Sequence, residues 1–258
     1  MAGTAERMWA IPGATLTMAR ADLVAGGSGV VRIPVPTFLV QHAEGLLLLD
    51  TGLAPAAAGD PGGHYADLGE LLLIDYPPER TVEAGLSALG FRCRDVTHVV
   101  LSHGHFDHTG GLSLFAHAKL YRGEGEIQHV EAHANDPVRA YRIDDFAGLE
   151  TADWTEFGDD LDVFGDGAVR ILSAPGHTPG NAALLVRLPN RAILLTADTA
   201  HLRQAWRDEL AMPMDPDHPR ARASIRRLKE VAAAEGAEVW IPHDPDDWRA
   251  FGAPGSYR

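Results

Sequence analysis

Three histidines and an aspartate lie within six positions of one another near residue 105. They are His103, His105, Asp107 and His108, in the order H-x-H-x-D-H, directly after an apolar run that ends at Leu101. A strand sends alternate side chains to opposite faces, but a turn after Leu101 can fold these side chains around one point. Neutral imidazole nitrogens suit borderline metals such as zinc, and a carboxylate offsets the charge of the ion. The spacing predicts a metal site with room for two ions.

The alternative interpretation of this cluster is a histidine-rich surface loop, or buried histidines that only satisfy hydrogen bonds. A single histidine is usually explained in that way. Four ligand-type residues at this spacing, directly after a strand, favour the metal site.

Three more residues of ligand type follow strand-like segments downstream. His177 lies in the turn-forming segment A-P-G-H-T-P-G, Asp198 follows the apolar run 193–195, and His243 follows the run 238–242. Each alone is weak evidence, because a lone histidine or aspartate in a turn more often forms local hydrogen bonds. Rigid scaffolds present reactive groups at strand ends, so their shared placement favours one common site.

The elements that must position these residues follow from periodicity and turn signals. We predict strands at 15–18, 30–40, 46–49, 96–101, 168–172, 182–188, 191–195 and 238–242, with helices at 81–89 and between Pro219 and Gly236. The run 46–49 is apolar without alternation, which indicates a strand covered on both faces. This order predicts an α+β fold, a four-layer αββα sandwich with two sheets packed together and helices outside. We expect one domain over residues 1–258.

The segment 54–76 is rich in glycine, alanine and proline, which favours a long surface loop and makes it a candidate substrate loop. Apolar residues beside a site more often belong to a core, but some here could line a trough for a substrate chain. The candidates are His64, Tyr65, Leu68, Leu72, Leu73 and Phe106. The acidic pairs 144–145 and 159–160 are interpreted as solvated.

Composition limits the classes of partner. The chain has 258 residues and 45% hydrophobic content, which suits a globular core, and its formal net charge of −14 disfavours nucleic acid or an anionic membrane. Cys93 is the only cysteine, so no intrachain disulfide can form and a thiolate metal site is disfavoured. No signal-peptide pattern is present, and no apolar run approaches the ~20 residues that span a bilayer. We expect a cytoplasmic protein with no nucleic-acid or membrane partner.

The combined pattern resembles the metallo-β-lactamase superfamily, whose motif is H-x-H-x-D-H followed by a lone histidine, a bridging aspartate and a final histidine. The resemblance implies two divalent ions, one held by His103, His105 and His177, the other by Asp107, His108 and His243, with Asp198 bridging both. It implies zinc, although such a site also accepts iron, manganese or cobalt. A hydroxide shared by the two ions would be the nucleophile, since the ions lower the pKa of its parent water.

Within the superfamily, the chain is similar to the N-acyl-homoserine lactonases that quench quorum-sensing signals. The segments 33–36, 105–111 and 224–231 carry this similarity. It implies a metal-dependent hydrolase that opens a lactone ring, with N-acyl-homoserine lactones as the expected substrates. It also implies attack on the ring carbonyl by the bridging hydroxide, and a homodimer. Asp107 and Asp198 would then be catalytic as well as ligands, and Asp198 would pass a proton to the leaving oxygen.

His201 departs from that family pattern. Many of these lactonases have a tyrosine three residues after the bridging aspartate, and here the position is His201. An imidazole can also donate a hydrogen bond to the developing oxyanion or leaving group, which makes His201 a candidate catalytic residue. The alternative is that His201 points to solvent.

Other activities on this scaffold are the competing hypotheses. They are hydrolysis of γ-butyrolactone or pyridoxolactone, a glutathione thioesterase of the glyoxalase II type, and a β-lactamase. The thioesterase is disfavoured because such enzymes normally carry a further C-terminal helical region. The β-lactamase is disfavoured because such enzymes normally carry an export signal. A flavodiiron-like redox protein would need a flavin domain and more carboxylate ligands. A purely structural metal module is disfavoured, because such a module gains nothing from two open ions.

Overall fold

A computed structural model describes residues 3–134, 136, 140–252 and 256–257. Its largest sheet has seven strands in the order β15-β1-β4-β5-β7-β8-β9. In chain order these are β1 (Arg7–Ile11), β4 (Thr37–His42), β5 (Gly45–Leu49), β7 (His98–Val100), β8 (Lys119–Gly123), β9 (Asp153–Phe157) and β15 (Ser256–Tyr257). The strands β5, β7, β8 and β9 run parallel, so their carboxyl ends meet at one edge.

The second sheet has five strands in sequence order. They are β10 (Leu161–Asp162), β11 (Val169–Ser173), β12 (Ala182–Leu188), β13 (Arg191–Leu195) and β14 (Ala237–Trp240). A tight hairpin joins β12 and β13, and β14 pairs parallel to β13. The carboxyl ends of β13 and β14 therefore lie side by side.

The two sheets pack face to face with helices outside, which confirms the predicted αββα sandwich. In β5, Leu47 and Leu49 join the core between the sheets, whereas Leu48 faces the core under the outer helices. Burial on both faces explains why this strand shows no alternation. The helices are α1 (Arg20–Leu23), α2 (Pro61–His64), α3 (Val82–Ala88), α4 (Phe106–Thr109), α5 (Glu126–His133), α6 (Arg203–Asp208), α7 (His218–Glu235) and α8 (Pro245–Phe251).

The prediction of one strand at 30–40 is wrong. The segment forms two strands in different sheets, β3 (Val30–Pro34) and β4, because Pro34 and Pro36 have no N–H to continue a ladder. The strand β3 joins β2 (Thr15–Ala19) and β6 (Leu73–Asp75) in a small three-stranded sheet. This sheet lies against the main body and contributes Leu16 and Ile33 to a buried cluster.

The segment 54–76 is not the irregular surface loop that its composition suggested. It contains a 3-10 turn at Pro55–Ala57, helix α2, a second 3-10 segment and β6, and Tyr65, Leu68 and Tyr76 are buried. Proline at the start of short helices and apolar anchors between the glycines explain this order. Its role as a substrate loop remains a prediction.

The interpretation of 144–145 as a solvated pair is wrong for Asp145. The Thr109 hydroxyl and the Asp145 carboxyl group are hydrogen-bonded, with Oγ1 and Oδ2 2.5 Å apart. Burial raises the pKa of Asp145 to about 6, and hydrogen bonding to Thr109 and the charge of Arg142 partly offset this rise.

Among the described residues, no helix is both long and apolar enough to cross a membrane.

Candidate metal centre

Each predicted ligand lies just beyond the end of a strand, on one edge of the sandwich. The chain leaves β7 at Val100, passes through His103 and His105, and forms the single turn α4, which carries Asp107 and His108. His177 follows β11, Asp198 follows β13 in a 3-10 turn, and His243 follows β14. The structure brings all seven side chains together, although they come from four separate parts of the chain.

The first cluster contains three imidazoles. Nδ1 of His105 lies 3.0 Å from Nε2 of His103 and 3.1 Å from Nε2 of His177. His103 and His177 are buried. Three nitrogens therefore converge on one point.

The second cluster contains Asp107, His108 and His243, all buried. Nε2 of His108 lies 3.5 Å from Oδ2 of Asp107 and 3.4 Å from Nε2 of His243. This is the two-nitrogen, one-oxygen set that the family resemblance implied.

Asp198 faces both clusters, with one oxygen toward each. Its Oδ2 lies 3.5 Å from Nε2 of His103 and from Nε2 of His177, whereas its Oδ1 lies 3.1 Å from Nε2 of His243 and 3.5 Å from Nε2 of His108. Although fully buried, Oδ1 has no hydrogen-bond partner among the described residues. A buried carboxylate oxygen without a donor is costly unless a cation lies beside it.

The spacing of the ligand atoms fits metal binding. Nitrogens about 2.0–2.1 Å from a tetrahedral zinc lie about 3.3 Å from one another. The nitrogen pairs above are separated by 3.0, 3.1 and 3.4 Å. The donor chemistry and the separations therefore fit two divalent ions, one in each cluster.

Acceptors outside the clusters fix the orientation of the histidine rings. Nδ1 of His243 lies 2.7 Å from the Pro34 carbonyl oxygen, which can only accept, so Nδ1 carries the proton and Nε2 faces the site. Nδ1 of His108 lies 2.8 Å from Oδ2 of Asp50, and Nδ1 of His177 lies 2.8 Å from Oδ1 of Asp215. Such partners fix the ring and strengthen the ligand nitrogen.

Sequence reasoning missed Asp50 and Asp215 as parts of the site. Asp50 lies directly after β5 and also accepts hydrogen bonds from the backbone N–H and the hydroxyl of Ser102. Its φ of 60° and the φ of 44° at Ala197 are unusual for residues with side chains. Strain of this kind concentrates at functional sites, and here it lies next to His108 in space and Asp198 in sequence.

The electrostatics divide the histidines into two groups. Burial holds the pKa of His103 and His105 well below the ordinary value, which leaves their nitrogens free to bind a cation. Burial also acts on His108 and His243, but neighbouring carboxylates, Asp198 among them, raise the pKa of both above the ordinary value. Metal binding would displace protons from this second group.

His201 is buried beside Asp198, so the alternative in which it points to solvent is wrong. Its Nε2 lies 2.9 Å from Oδ2 of Asp198, and its ring stacks on that of His243. Burial lowers the pKa of His201, although Asp198 opposes this effect.

The two clusters lie at the floor of a cavity of about 190 Å³. Its walls are mainly apolar and are formed by Leu16, Met18, Leu23, Ile33, Leu68, Leu72, Phe106, Met212 and Met214. Of the predicted lining residues, Phe106, Leu68 and Leu72 line the cavity, and Tyr65 is buried in the core. His64 and Leu73 are exposed and do not line it, so the prediction is wrong for these two. His201 and Asp22 also line it.

A protein-family model matches most of the chain, including the residues of both clusters. The model of the metallo-beta-lactamase superfamily matches residues 30–243, which span every ligand described above. The chain belongs to this superfamily. Membership agrees with the four-layer sandwich and with the two ligand clusters.

Relatives within the superfamily carry lactonase names. The chain is 33% identical over 240 residues to "N-acyl homoserine lactonase AttM" of Azorhizobium caulinodans, covering 90% of both chains. It is 30% identical over 224 residues to an N-acyl homoserine lactonase of a Bacillus species, covering 84% of each.

A solved structure shares the whole fold. It is an N-acyl homoserine lactone hydrolase with the product N-hexanoyl-L-homoserine bound at the catalytic metal centre, and it superimposes with a TM-score of 0.85 at 24% identity, covering 96% of this chain and 97% of the other. The structure of AidC, described as a dizinc quorum-quenching lactonase, has a TM-score of 0.70 at 18% identity over 94% of this chain and 89% of AidC. At these identities the similarity shows the fold alone.

Proposed function

We propose that the protein is a metal-dependent hydrolase that opens the lactone ring of N-acyl homoserine lactones. The observation that carries this proposal is the placement of Asp198, which presents one oxygen to each ligand cluster at the floor of an apolar cavity. The names of the relatives support the choice of substrate.

The ligand assignment is part of the proposal. We assign one ion to His103, His105 and His177, the other to Asp107, His108 and His243, and the bridging role to Asp198. Zinc is the proposed metal, since imidazole and carboxylate ligands at these separations suit it, and the relative AidC is described as dizinc. We also propose a cytoplasmic location and a homodimer.

The reaction uses charge stabilisation at an ester carbonyl. When bound, a pair of divalent ions supplies Lewis acidity and lowers the pKa of water toward neutrality. Water would add to the ring carbonyl carbon as the bond from that carbon to the ring oxygen breaks. Asp198 would take the proton that this water loses and deliver it to the ring oxygen, with Asp107 beside the reacting ester. His201 lies next to Asp198 and faces the cavity, where its N–H can donate to the carbonyl oxygen or to the departing oxygen.

The apolar walls bind the rest of the substrate. Leu16, Leu23 and Ile33 are almost fully buried and flank the cavity, and Met212 and Met214 complete its wall. An acyl chain would gain about 0.8 kcal/mol for each buried CH₂ group. A homoserine lactone places its ring and its acyl chain on opposite sides of an amide, which matches a polar floor with apolar walls.

A substrate panel tests this proposal. Purified, metal-loaded protein is assayed by proton release with N-acyl homoserine lactones of several chain lengths, γ-butyrolactone, a δ-lactone, a glutathione thioester and a cephalosporin. We expect the highest kcat/KM for an N-acyl homoserine lactone. A higher kcat/KM for γ-butyrolactone or the thioester, with little turnover of the acylated lactones, would contradict the substrate assignment.

A further inference from the structure

Glu126 is a buried carboxylate that the reaction described above does not use. It is the first residue of α5 and is 1% exposed. Among the described residues, no lysine or arginine forms an ion pair with Glu126; its hydrogen-bond partners are neutral donors. Burial of an unpaired carboxylate is costly, so a compensating positive charge is expected nearby.

The carboxylate connects the two loops that carry the first ligand cluster. Oε1 accepts a hydrogen bond from the N–H of Gly104 at 2.7 Å. Oε2 accepts from the Thr178 hydroxyl at 2.7 Å and from the N–H of Gly180 at 2.8 Å. Gly104 lies between His103 and His105, and Thr178 follows His177. One side chain therefore fixes the backbone beside all three imidazoles of that cluster.

The fit of the loops around Glu126 is close. A Cβ atom added to Gly104 would lie 2.3 Å from Cγ2 of Val130 and 3.0 Å from Oε1 of Glu126. A Cβ atom added to Gly180 would lie 2.7 Å from Cβ of Glu126. Only glycine at these two positions lets the loops approach the carboxylate closely enough for the hydrogen bonds.

The hydrogen bonds favour the ionised form. The two backbone N–H groups need an acceptor on each side of the carboxyl group, which a carboxylate provides. Burial raises the pKa of Glu126, while the three donors and His177 oppose this shift. An ion bound by the neighbouring imidazoles would add the missing positive charge.

We propose that Glu126 is a positioning residue for His103, His105 and His177 and the buried counter-charge of the ion that they hold. This inference rests on the metal-binding part of the proposed function and not on the lactone substrate. The proposal assigns a different orienting carboxylate to each ion. Glu126 holds the loops of the first cluster, whereas Asp50 is hydrogen-bonded to His108 in the second cluster.

The test compares E126Q with T178V. Thr178→Val removes one of the three hydrogen bonds but keeps the charge of Glu126, so it separates the effect of the charge from the effect of one hydrogen bond. For each protein, two measurements are made: the stepwise affinities for zinc by competition with a chromophoric chelator, and urea unfolding with and without zinc. Neither measurement depends on activity.

We expect E126Q to weaken the binding of one ion roughly 10- to 100-fold and to leave the other within about threefold, because partners of this kind tune metal affinity by that amount. The stabilisation gained on zinc binding should fall accordingly. T178V should weaken the same ion by a smaller factor than E126Q, because it keeps the charge of Glu126 and two of its three hydrogen bonds. A loss in T178V as large as that in E126Q would contradict the counter-charge role of Glu126. The double variant E126Q/D50N should weaken both ions.

Equal destabilisation of both forms of E126Q, with wild-type affinities for both ions, would overturn the proposal and leave Glu126 a purely structural residue. If E126Q does not fold, E126D, which keeps the charge but has a shorter reach, replaces it. E126D should weaken one ion only; an equal loss at both ions, or no loss, would overturn the proposal. Absence of zinc binding by the unaltered protein would instead contradict the proposed function.

Discussion

Oδ1 of Asp215 lies 2.8 Å from Nδ1 of His177 and joins the segment before α7 to the loop after β11. The contact orients the imidazole so that Nε2 faces His105 and Asp198. We expect Asp215→Asn to weaken binding of one ion roughly 10- to 100-fold without removing the fold. Chelator competition measures this loss.

Asp217→Ala is the control for Asp215→Asn. Asp217 caps α7 through the N–H of Arg220, so its loss should cost about 1 kcal/mol of stability and leave the metal affinities unchanged. If Asp215→Asn bound both ions as tightly as this control, the orienting role of Asp215 would be wrong.

His201→Ala should lower kcat while the protein keeps its ions. The imidazole is buried next to Asp198 and lines the cavity, but it belongs to neither ligand cluster. Loss of one donor to a developing oxyanion typically costs about 10²–10³ in kcat, and a somewhat smaller loss is expected if the donor serves only the leaving oxygen. Steady-state kinetics and elemental analysis on the same sample measure both properties.

His117→Ala provides the comparison for His201→Ala, since His117 is exposed and its Nε2 lies 3.1 Å from the Val96 carbonyl oxygen, away from the cavity. It should behave like the unaltered protein. Unchanged kcat in His201→Ala, with two ions bound, would exclude His201 from the reaction.

Asp22→Leu should improve the use of long acyl chains. Asp22 is a carboxylate on a largely apolar wall, and its side chain has no hydrogen bond or ion pair with another described residue. An alkyl chain that covers it removes water without replacing the lost hydrogen bonds, at a cost of about 1 kcal/mol or more. We expect KM for N-decanoyl homoserine lactone to fall roughly fivefold in Asp22→Leu, with little change for the N-butanoyl substrate.

The matched control is Asp75→Leu, because Asp75 is 62% exposed and pairs with Arg32 away from the cavity. It should change neither KM. An equal fall of KM for short and long chains in Asp22→Leu would show that the acyl chain does not reach Asp22.

Asp145 should make folding stability depend on pH. Burial raises its pKa to about 6 in the folded protein, against 3.8 as the ordinary value, so the folded state binds the proton more tightly. The stability from this group is present below pH 3.8 and is lost as the pH rises through about 6. Asp145→Asn removes the titration, and its stability relative to the unaltered protein should rise by about 1 kcal/mol between pH 5 and pH 8.

Urea unfolding of both metal-free proteins at the two pH values measures the effect of Asp145→Asn. The metal-free forms are compared because metal binding is itself pH-dependent. A stability difference that stays constant between the two pH values would contradict the raised pKa of Asp145.

The ligands could be predicted from the sequence because each follows a strand. The H-x-H-x-D-H spacing and the strands before Asp198 and His243 marked them as candidates, and the family resemblance supplied their assignment as ligands. The unbroken apolar run of β5 indicated a sheet covered on both faces. These signals are local, and each reflects the environment of a few consecutive residues.

The orienting carboxylates could not be predicted in the same way. Asp50 contacts a histidine 58 positions away, Asp215 one 38 positions away, and Glu126 contacts loops on both sides in sequence. Their neighbours in sequence do not distinguish these carboxylates from solvated acidic residues. Asp145 illustrates the difficulty, because its sequence context predicted a solvated residue and the structure buries it. Their roles depend on how distant segments meet at the edge of the sandwich.

The most direct test of the account is stepwise return of zinc to metal-free protein, with bound zinc and hydrolysis of N-hexanoyl homoserine lactone measured on the same samples. If Asp198 joins two ions in one centre, activity should be absent without zinc and should reach its maximum as the second equivalent binds. Full turnover by protein shown to contain no metal, or a maximum at one ion per chain, would contradict it.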